Sequence, residues 1–511
     1  MRCYERSNRC PPTLALPLPD QSYALARTLR QHAPDGTALI HQGRSWTFGQ
    51  LDQQSGQAAG LLESVGIGPG DRVAILARNG LPAAAAILGV ARTGAAVVPV
   101  NWRLSAREIG QILDDARPGY LCIESSFRDI GADGISRAIL PDPTDRIEAL
   151  PWATSDWVAS DLDYSEDAVA VQVYTSGTSG KPKGVLLTNA NLARKVTGTK
   201  TMWRLTPRSR TLLSTPLFHV GGLSWLLAGL ASGATTVLAR SAHTQDLLHH
   251  LASDEITHAF LVPTQIRGLC EQIPPHTAFP SVQAVYYGAA PMDPDLRSQA
   301  QQLFGPVLHH LYGLSETTGA ITELPADSAL HGSAGKPYPW VELQIRDIEH
   351  GDPVPAGTYG EVWTRSAQNC AGYFENPEST RALFDEDGWL RTGDGGYVDG
   401  DGNLYLTDRV KDMIITGGEN VFPQEVEDAL REHPAVADIA VVGVADRHWG
   451  QRVAAAIVPV PGRSIDEQEI IAFGRSELAA YKCPTIIRLY TELPRNATGK
   501  VLRRVIRQEM S

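Results

Sequence analysis

Short apolar runs alternate with amphipathic segments along most of the chain. Val73–Leu76 and Ala95–Val100 are predicted to be buried strands, and the Ala-rich segment Leu81–Arg92 between them a helix. Such a unit predicts parallel strands joined by a right-handed crossover. The alternation continues in further strand-like and helix-like runs, at Leu212–Ser214, Thr244–Leu251, His258–Val262 and Ala284–Tyr287. The pattern therefore predicts an α/β fold, with mixed sheets in a large, multi-layer N-terminal domain.

The pattern changes near Arg409. A compact series of predicted elements follows: strands Met413–Thr416, Ile439–Val444 and Val453–Val458, and helices Gln424–Arg431 and Asp466–Ala480. Pro423 at a helix start and Pro434 beyond its end are typical helix boundary signals. Because 511 residues are too many for one compact domain, we predict three segments. These are an N-terminal extension of residues 1–21, a large domain of residues 22–409, and a small α+β domain of residues 410–511.

Composition narrows the classes of function. Apolar residues make up 43% of the chain, and the formal charge is −12 with no block of Lys or Arg. This charge argues against nucleic acid or an anionic membrane as the main partner. The uncharged stretch Val220–Ala239 is long enough to span a membrane, but its glycines and hydroxyl residues favour a buried helix, turn and strand. Six cysteines without Cys-x-x-Cys spacing favour a reducing cytoplasm.

The densest cluster of candidate chemistry is Tyr174–Val185, which follows an apolar run and combines hydroxyls, glycines and lysines. Glycines let backbone N–H groups approach anionic oxygens, and the lysines add positive charge. The stretch is not a Walker A loop, because Pro182 follows the Gly-Lys pair where that motif needs Ser or Thr. A flexible surface turn is the plain alternative. The candidate phosphate contacts are Thr175, Ser176, Gly177, Thr178, Ser179, Gly180, Lys181 and Lys183.

This stretch resembles the phosphate-binding loop of the adenylate-forming superfamily, which contains acyl-CoA synthetases, luciferases and the adenylation domains of peptide synthetases. Two further segments match the family in the same order, although Tyr287–Pro291 alone would be an ordinary strand exit. Tyr312–Gly319 resembles the loop that contacts adenine and positions magnesium, and its alternative is a polar turn. The resemblance implies nucleotide contacts at Gly288, Ala289, Ala290, Tyr312, Gly313 and Thr317, and a Mg²⁺ ligand at Glu316.

Residues of the C-terminal part match the family as well. The resemblance implies that Asp394 binds the ribose and that Arg409 reaches the ribose or the phosphates, although a lone Asp before glycines is more often a turn residue. It implies that Lys500 bridges the acyl carboxylate and the α-phosphate, where charge develops in the transition state. An exposed lysine near a chain end is otherwise ordinary. Lys411 matches the hinge residue of the family, and Gly417 and Gly418 match a loop associated with the thioester-forming step.

His219 stands where acyl-CoA synthetases have a histidine close to the substrate carboxylate. A lone His beside apolar residues is usually a satisfied core residue, so the residue type alone leaves both interpretations open. Peptide-synthetase domains carry an Asp near this position that pairs the amino group of their substrate, and Phe218–Gly221 contains none. Because a buried ammonium without a partner is costly, we expect an apolar acid without an α-amino group.

The resemblance covers nearly the whole chain from about residue 22 and implies an acyl-CoA synthetase. In that reaction a carboxylic acid and MgATP give an acyl-adenylate and pyrophosphate, and the CoA thiol then displaces AMP. The expected partners are therefore a small carboxylic acid, ATP and CoA, with Mg²⁺ as cofactor. We expect a cytoplasmic protein without nucleic acid or a transmembrane segment, and a homodimer is one candidate assembly.

Two other functions stay open. One is an acyl-adenylate ligase that loads a carrier protein; its fatty-acyl members carry an insertion for which the compact run Val341–Trp363 leaves no room. The other is a non-catalytic nucleotide-binding relative. The presence of Glu316, Asp394, Lys500 and the complete phosphate loop argues against it. The acyl group is a fatty, aryl or polycyclic acid, and the sequence does not choose among them.

Overall fold

The computed structural model describes residues 27–130, 134–142, 150–156, 165–176, 182–274, 279–290, 292, 294–330, 332–416, 419–447, 449–463, 465–495 and 501–511. Within these ranges the helices are α1 (Arg27–Arg30), α2 (Phe48–Ser64), α3 (Leu81–Thr93), α4 (Ala106–Ala116), α5 (Asn189–Met202), α6 (Val220–Ala231), α7 (Thr244–Ser253), α8 (Pro263–Gln272), α9 (Pro294–Phe304), α10 (Pro377–Leu383), α11 (Pro423–Arg431), α12 (Glu467–Glu477) and α13 (Arg503–Met510).

The strands in the same ranges alternate with these helices through most of the chain. They are β1 (Thr37–His41), β2 (Arg44–Thr47), β3 (Arg72–Leu76), β4 (Ala96–Pro99), β5 (Tyr120–Glu124), β6 (Arg137–Leu140), β7 (Val169–Ser176), β8 (Pro182–Thr188), β9 (Arg210–Leu213), β10 (Thr235–Leu238), β11 (His258–Leu261), β12 (Ala284–Gly288), β13 (Leu308–Leu314), β14 (Gly319–Leu324), β15 (Ser333–Pro337), β16 (Glu342–Arg346), β17 (Gly360–Arg365), β18 (Gly372–Tyr373), β19 (Leu390–Val398), β20 (Leu404–Arg409), β21 (Ile414–Thr416), β22 (Glu419–Val421), β23 (Val436–Asp446), β24 (Gly450–Pro459) and β25 (Ile486–Leu489).

The described residues form two compact units. The large unit contains those up to Glu342 together with Thr364–Leu390, and the small unit contains Leu343–Trp363 and Arg391–Ser511. The stretch from Arg391 to Arg409, which the sequence assigned to the large domain, therefore packs with the small unit. The predicted domain limits, residues 22–409 and 410–511, stay a prediction.

Two sheets organise the large unit. One runs in the order β15, β14, β13, β12, β11, β9, β10, β1 and β2. Between β13 and β1 in this order, adjacent strands are parallel to each other. The other is 7-stranded, in the order β18, β8, β7, β4, β3, β5 and β6. The predicted strand–helix–strand unit is confirmed, because α3 connects the parallel strands β3 and β4. The fold class is thus α/β with mixed sheets, as predicted.

The long uncharged stretch of the sequence is interior structure. It forms α6, a turn at Gly233 and β10, which pairs in parallel with β1 and β9. Leu223, Trp225 and Leu226 of α6 are almost fully buried in the main apolar core. Among the residues that the structure describes, no helix is long and apolar enough to cross a membrane.

The small unit is α+β, as predicted. The strands β22, β21, β24 and β23 form one sheet, to which β25 adds on the β24 side. Helices α11 and α13 pack against β23. Pro423 is the first residue of α11, which fits a position where a missing backbone N–H costs nothing. A further set of strands in this unit has the order β16, β17, β19 and β20.

Candidate active site

The phosphate-loop prediction falls on a hairpin of the large unit. Strands β7 and β8 pair antiparallel, and their register sets Thr175 opposite Lys183 and Ser176 opposite Pro182. The residues at the tip, Gly177, Thr178, Ser179, Gly180 and Lys181, lie outside the described residues, as does the side chain of Ser176. The hairpin thus fixes the two ends of the predicted loop.

Lys183 is held by two residues that the sequence analysis missed. Its Nζ donates to Ser379 Oγ at 2.9 Å and lies 5.0 Å from the centroid of the Tyr373 ring. Tyr373 reaches this place because β18 pairs with β8, with Tyr373 opposite Val185. An ammonium over an aromatic face is electrostatically favourable. The lysine therefore has a defined position at the base of the hairpin.

Glu316 lies in the turn between β13 and β14 and is linked to the same tyrosine. The hydroxyl of Tyr373 donates to Glu316 Oε1 at 2.9 Å, and the backbone N–H of Cys370 donates to the Glu316 carbonyl at 2.8 Å. One aromatic residue therefore contacts both the cation of the hairpin and the carboxylate of the turn. We refer to Lys183, Tyr373 and Glu316 as the Lys–Tyr–Glu bridge.

The donor set around Glu316 fits Mg²⁺. Mg²⁺ is usually held by one or two carboxylates, water and substrate phosphates, and rarely by a cage made only of protein groups. In the described part of the chain no group of three or more His, Cys, Asp or Glu side chains could hold a metal. A single half-buried carboxylate, linked through Tyr373 to the hairpin that is predicted to bind phosphate, matches the first arrangement.

The side chain of Thr317 forms hydrogen bonds within its own turn. Its hydroxyl donates to the carbonyls of Gly319 (2.7 Å) and Leu314 (3.1 Å) and accepts the N–H of Leu314 at 2.9 Å, and the residue is fully buried. Donation to a phosphate, which the family resemblance implies, would require this hydroxyl to exchange a partner. That role remains a prediction.

Close backbone packing explains two of the predicted glycines. A Cβ on Gly313 would lie 2.1 Å from the carbonyl oxygen of Gly319, and one on Gly288 would lie 2.4 Å from that of Leu311. Both distances are far below van der Waals contact, so neither position has room for a side chain. These glycines bring the ends of β12, β13 and β14 together.

Beyond Gly288 the chain adopts an unusual backbone conformation. Ala289 has φ of +68° and is exposed, whereas Ala290 is half-buried. A left-handed conformation at a non-glycine residue is uncommon and is found preferentially at functional sites. Tyr312, on the neighbouring strand, is 9% exposed. Contact of these residues with a nucleotide remains a prediction.

His219 is the N-cap residue of α6, and its Nε2 is buried without a hydrogen-bond partner among the described residues. Burial and the nearby positive charge of Arg103 lower the pKa of His219 to about 4. The imidazole is therefore neutral at physiological pH. A buried polar atom without a partner is costly in a protein that binds nothing there. The N-terminus of α6 also favours negative charge, so the position suits a substrate carboxylate.

Apolar rings surround this imidazole. Phe218 lies 4.4 Å from His219 between ring centroids, and Trp102 meets Phe218 edge-on at 6.2 Å. Arg103 lies against Trp102, with 4.9 Å between its guanidinium carbon and the ring centroid. The sequence analysis missed Trp102 and Arg103, because they follow β4 and lie more than a hundred residues from His219. The part of an acid next to a carboxylate bound at His219 would therefore meet the apolar rings of Phe218 and Trp102.

The small unit brings Asp394 and Arg409 together. They are opposite each other in the antiparallel pair of β19 and β20, next to a register shift between Asp394 and Gly396. The backbone N–H of Asp394 donates to Thr392 Oγ1 at 3.1 Å. The side chain of Arg409 lies outside the described residues. Two residues that were predicted to share one ligand group are thus neighbours.

The remaining predicted residues of the small unit are only partly described. Lys411 lies in a short 3₁₀ turn, Val410–Asp412, but its side chain lies outside the described residues. Gly417, Gly418 and Lys500 lie outside them entirely. A bridge between Arg495 and Val501 closes the segment that carries Lys500.

Comparisons with known protein families match two regions of the chain. Residues 25–374 match the AMP-binding enzyme family, and residues 425–500 match the AMP-binding enzyme C-terminal domain.

Curated relatives cover almost the whole chain. A 2-succinylbenzoate–CoA ligase of Bacillus cereus is 36% identical and covers 93% of this chain and 96% of its own length. The fatty acid–acyl-carrier-protein ligase ScoC of Streptomyces coeruleorubidus is 34% identical and covers 93% of this chain and 94% of its own length. A feruloyl-CoA synthase of Amycolatopsis is 32% identical, with 93% and 96% covered.

Solved structures show the same similarity. ATP-bound MatB from Rhodopseudomonas palustris superposes with a TM-score of 0.89 at 28% identity, covering 95% of this chain and 98% of its own. O-succinylbenzoate CoA synthetase (MenE) from Bacillus subtilis, in complex with ATP and a magnesium ion, gives a TM-score of 0.85 at 30% identity, with 95% and 99% covered.

Proposed function

The chain belongs to the AMP-binding enzyme family of acyl-CoA and acyl-adenylate ligases, and on that premise we propose that it is an ATP-dependent acyl-CoA synthetase. Enzymes of this family are AMP-forming acid–thiol ligases that use ATP and Mg²⁺. In the proposed reaction a carboxylate attacks the α-phosphate of ATP, forming an acyl-adenylate and releasing pyrophosphate. The sulfur of CoA then attacks the acyl carbon, and AMP leaves.

The Lys–Tyr–Glu bridge carries this proposal. Adenylation needs a cation for the ATP phosphates and a carboxylate for the metal that accompanies them, at positions fixed relative to each other. Lys183 and Glu316 contact the same side chain, Tyr373, so one residue fixes both. When bound, Mg²⁺ would screen the charge of the phosphate oxygens and orient them. Glu316 would hold it, with Lys183 and the loop backbone on the phosphates.

The other residues take roles around the bridge. His219, neutral and without a partner in the described residues, would orient the acid at the N-terminus of α6. Asp394 and Arg409 would bind the ribose hydroxyls. Lys500 would stabilise the charge that develops between carboxylate and α-phosphate. For thioester formation, Gly417 and Gly418 would enter the site after rotation about Lys411.

The proposed substrate is an apolar carboxylic acid without an α-amino group. Support comes from the apolar rings around His219 and from the lack of an acidic residue in Phe218–Gly221. The relatives are named for an aryl acid with a second carboxyl group, for a hydroxycinnamic acid and for fatty acids. We further propose a cytoplasmic location, in keeping with the described cysteines, which are all free thiols.

The test measures AMP and acyl-thioester formation across a panel of carboxylic acids and amino acids. ATP, Mg²⁺ and CoA should give AMP and acyl-CoA in equal amounts with apolar acids, and amino acids should give neither. Pyrophosphate exchange driven mainly by amino acids would contradict the proposed substrate class. Failure of every acid to release AMP from a folded protein would contradict the reaction.

A second candidate is loading of a carrier protein instead of CoA, which the similarity to a fatty acid–acyl-carrier-protein ligase favours. The same assay distinguishes it when a phosphopantetheine-bearing carrier protein replaces CoA. Faster transfer to the carrier than to CoA would favour the second candidate. Both acceptors share the adenylation half-reaction, so the ratio of the two transfer rates is the deciding quantity.

A further inference from the structure

A lysine is buried in the large unit, away from the residues assigned above. Lys195, on α5, is 1% exposed, and its Nζ donates to the carbonyl of Ala320 at 2.7 Å. The rings of Tyr338 and Trp203 lie 5.1 Å and 5.7 Å from Nζ. Burial lowers the pKa of Lys195 to about 7. An ammonium in this setting has donors left over, because a lysine carries three and one carbonyl takes one.

Other donors without partners lie on α5 and on α6. Thr199 follows Lys195 by one helical turn, and α5 packs against α6, which carries Ser224 and Trp225. Thr199 Oγ1, Ser224 Oγ and Trp225 Nε1 are all buried without a hydrogen-bond partner among the described residues. The residues are 1%, 5% and 1% exposed. We call Lys195, Thr199, Ser224 and Trp225 the buried donor cluster.

One observation places two of these donors together. A Cβ on Gly319 would lie 3.6 Å from both Lys195 Cε and Ser224 Oγ, so these side chains flank the same backbone atom. The rings of Trp203 and Trp225, 4.9 Å apart, add a further contact between the C-terminal end of α5 and α6. Lys195 and Ser224 therefore converge on one point, where the Ala320 carbonyl accepts from Lys195.

One acidic side chain acts on Lys195. Glu323, on β14, has its Oε1 at 2.8 Å from His309 Nδ1, and its Oε2 is buried without a hydrogen-bond partner among the described residues. Its charge partly offsets the effect of burial on the lysine pKa, but Glu323 makes no hydrogen bond to Lys195 or Ser224 among the described residues. Since burying unmatched donors is costly, these donors are suited to an acceptor that lies closer to them than Glu323.

The cluster lies inward from the place proposed for the carboxylate. Ser224 follows Val220, the first residue of α6, by four residues, which corresponds to about 6 Å along the helix axis. His219 caps the N-terminus of that helix. Gly319, which Lys195 and Ser224 flank, directly follows the turn that carries Glu316 and Thr317. An acyl chain that enters beside His219 and extends along α6 would end at the cluster.

Resting on the proposed function, we propose that Lys195 and the hydroxyls of the buried donor cluster select acids whose distal end carries an oxygen acceptor, most favourably a second carboxylate. The body of the acid is apolar and its tail is not. A carboxylate paired with Lys195 would satisfy the donors, and binding would favour the ammonium form of the lysine. A plain hydrocarbon tail would leave every donor without a partner, which is how polar sites reject analogues.

The test compares pairs of acids that differ only at the far end: heptanoate with heptanedioate, octanoate with octanedioate, and 3-phenylpropanoate with its 4-hydroxy derivative. For each pair we define the tail ratio as kcat/KM for pyrophosphate release with the oxygenated acid, divided by kcat/KM with the plain acid. We expect a ratio of about ten or more for at least one diacid pair, since hydrogen bonds to charged groups are among the stronger ones. Lys195→Met should lower that ratio at least tenfold and leave the plain acids as good or better.

Lys200→Met is the matched control. Lys200 is on the same helix and also donates to a backbone carbonyl, that of Ala231 at 3.1 Å, but it is exposed. Its replacement should leave the tail ratio unchanged. Ser224→Ala should lower the ratio severalfold and gives a second readout if Lys195→Met does not fold. A folded Lys195→Met protein with an unchanged ratio and a lower melting temperature would show a structural lysine and overturn the proposal.

Binding separates this inference from the proposed function. Calorimetric titration of the acids without ATP should show tighter binding of the diacid to the wild type than to Lys195→Met. That difference would support the cluster even if no acid released AMP. Turnover of plain acids, with no difference in diacid binding between the two proteins, would overturn the cluster and leave the acyl-CoA synthetase proposal standing.

Discussion

At the scale of single residues, Tyr373 contacts both the β7–β8 hairpin, which is proposed to bind phosphate, and the β13–β14 turn, which is proposed to bind the metal. Its hydroxyl orients Glu316, and its ring face positions Lys183. The two contacts use different parts of one side chain, so substitution can remove one and keep the other.

We predict that Tyr373→Phe weakens Mg²⁺ binding. The ring stays for Lys183, whereas Glu316 loses the donor that orients it, and loss of such an outer partner costs about 10- to 100-fold in metal affinity. The Mg²⁺ concentration for half-maximal ATP–pyrophosphate exchange should rise by about tenfold, with little change in KM for the acid. Ser379→Ala, which removes the other partner of Lys183, is the control and should affect KM for ATP instead. An unchanged Mg²⁺ requirement in folded Tyr373→Phe would show that the hydroxyl has no part in metal binding.

His219 gives a prediction about pH. Its pKa is about 4 in the folded protein, below its ordinary value of 6.5, so the unfolded state binds a proton that the folded state does not. Stability is therefore lost as pH falls from about 6.5 towards 4. At pH 5.5 the loss attributable to this residue is about 1 kcal/mol.

Denaturant unfolding of the wild type and His219→Gln at pH 7.5 and 5.5 measures this loss. The decrease in unfolding free energy between the two pH values should be smaller in the variant. Other buried histidines, such as His258, whose pKa is also lowered to about 4, remain in both proteins and cancel in the comparison. Equal decreases would mean that the imidazole of His219 titrates normally.

At the scale of elements, the turn from β13 to β14 depends on backbone approach. Gly313 lies where β13 and β14 shift register, and a Cβ there would meet the carbonyl oxygen of Gly319 at 2.1 Å. Because both partners are backbone, neither can move aside cheaply. The turn that holds Glu316 thus requires a glycine at its base.

We predict that Gly313→Ala destabilises the protein by about 2 kcal/mol or more, in the range typical of forced overpacking. Thermal melting and the Mg²⁺ dependence of adenylation should both change, since the turn also positions Glu316. Gly110→Ala is the opposite case: Gly110 lies within α4 with open space around it. Alanine there should stabilise by about 0.5–1 kcal/mol. A Gly313→Ala protein as stable as the wild type would contradict the packing argument.

At the scale of the whole molecule, the residues proposed for the reaction are divided between the two compact units. The Lys–Tyr–Glu bridge and His219 belong to the large unit, whereas Asp394, Lys411 and Gly417–Gly418 belong to the small one. If the small domain rotates between the half-reactions, the backbone at Lys411 must adopt two φ/ψ settings.

We predict that Lys411→Pro permits adenylation and abolishes transfer to CoA. Proline fixes φ near −65° and restricts Val410 before it, so the chain should be held in one arrangement. Each half-reaction is measured separately, by pyrophosphate exchange and by thioester formation from supplied acyl-adenylate. Lys411→Ala is the control, because it removes the side chain and keeps the backbone free. Normal transfer by a folded Lys411→Pro protein would rule out rotation about this residue.

The sequence by itself determined the features that depend on neighbouring residues. The α3 crossover, the helix–turn–strand of Val220–Ala239 and the Pro423 start of α11 are local patterns, and the structure confirms each of them. The family followed from motifs in a fixed order, because phosphate and nucleotide contacts come from contiguous loops.

Only the tertiary structure decided which distant residues meet. Tyr373 reaches Lys183 and Glu316 through the pairing of β18 with β8, and Lys195 and Ser224 flank Gly319 because α5 packs on α6. Neither contact leaves a local signature, since a lone Tyr or a Lys on a helix resembles many others. The structure likewise assigned Arg391–Arg409 to the small unit. The local sequence pattern determines the helices, strands and motifs. Long-range packing determines which distant side chains come together, either to hold a loop in place or to contact the tail of the proposed substrate.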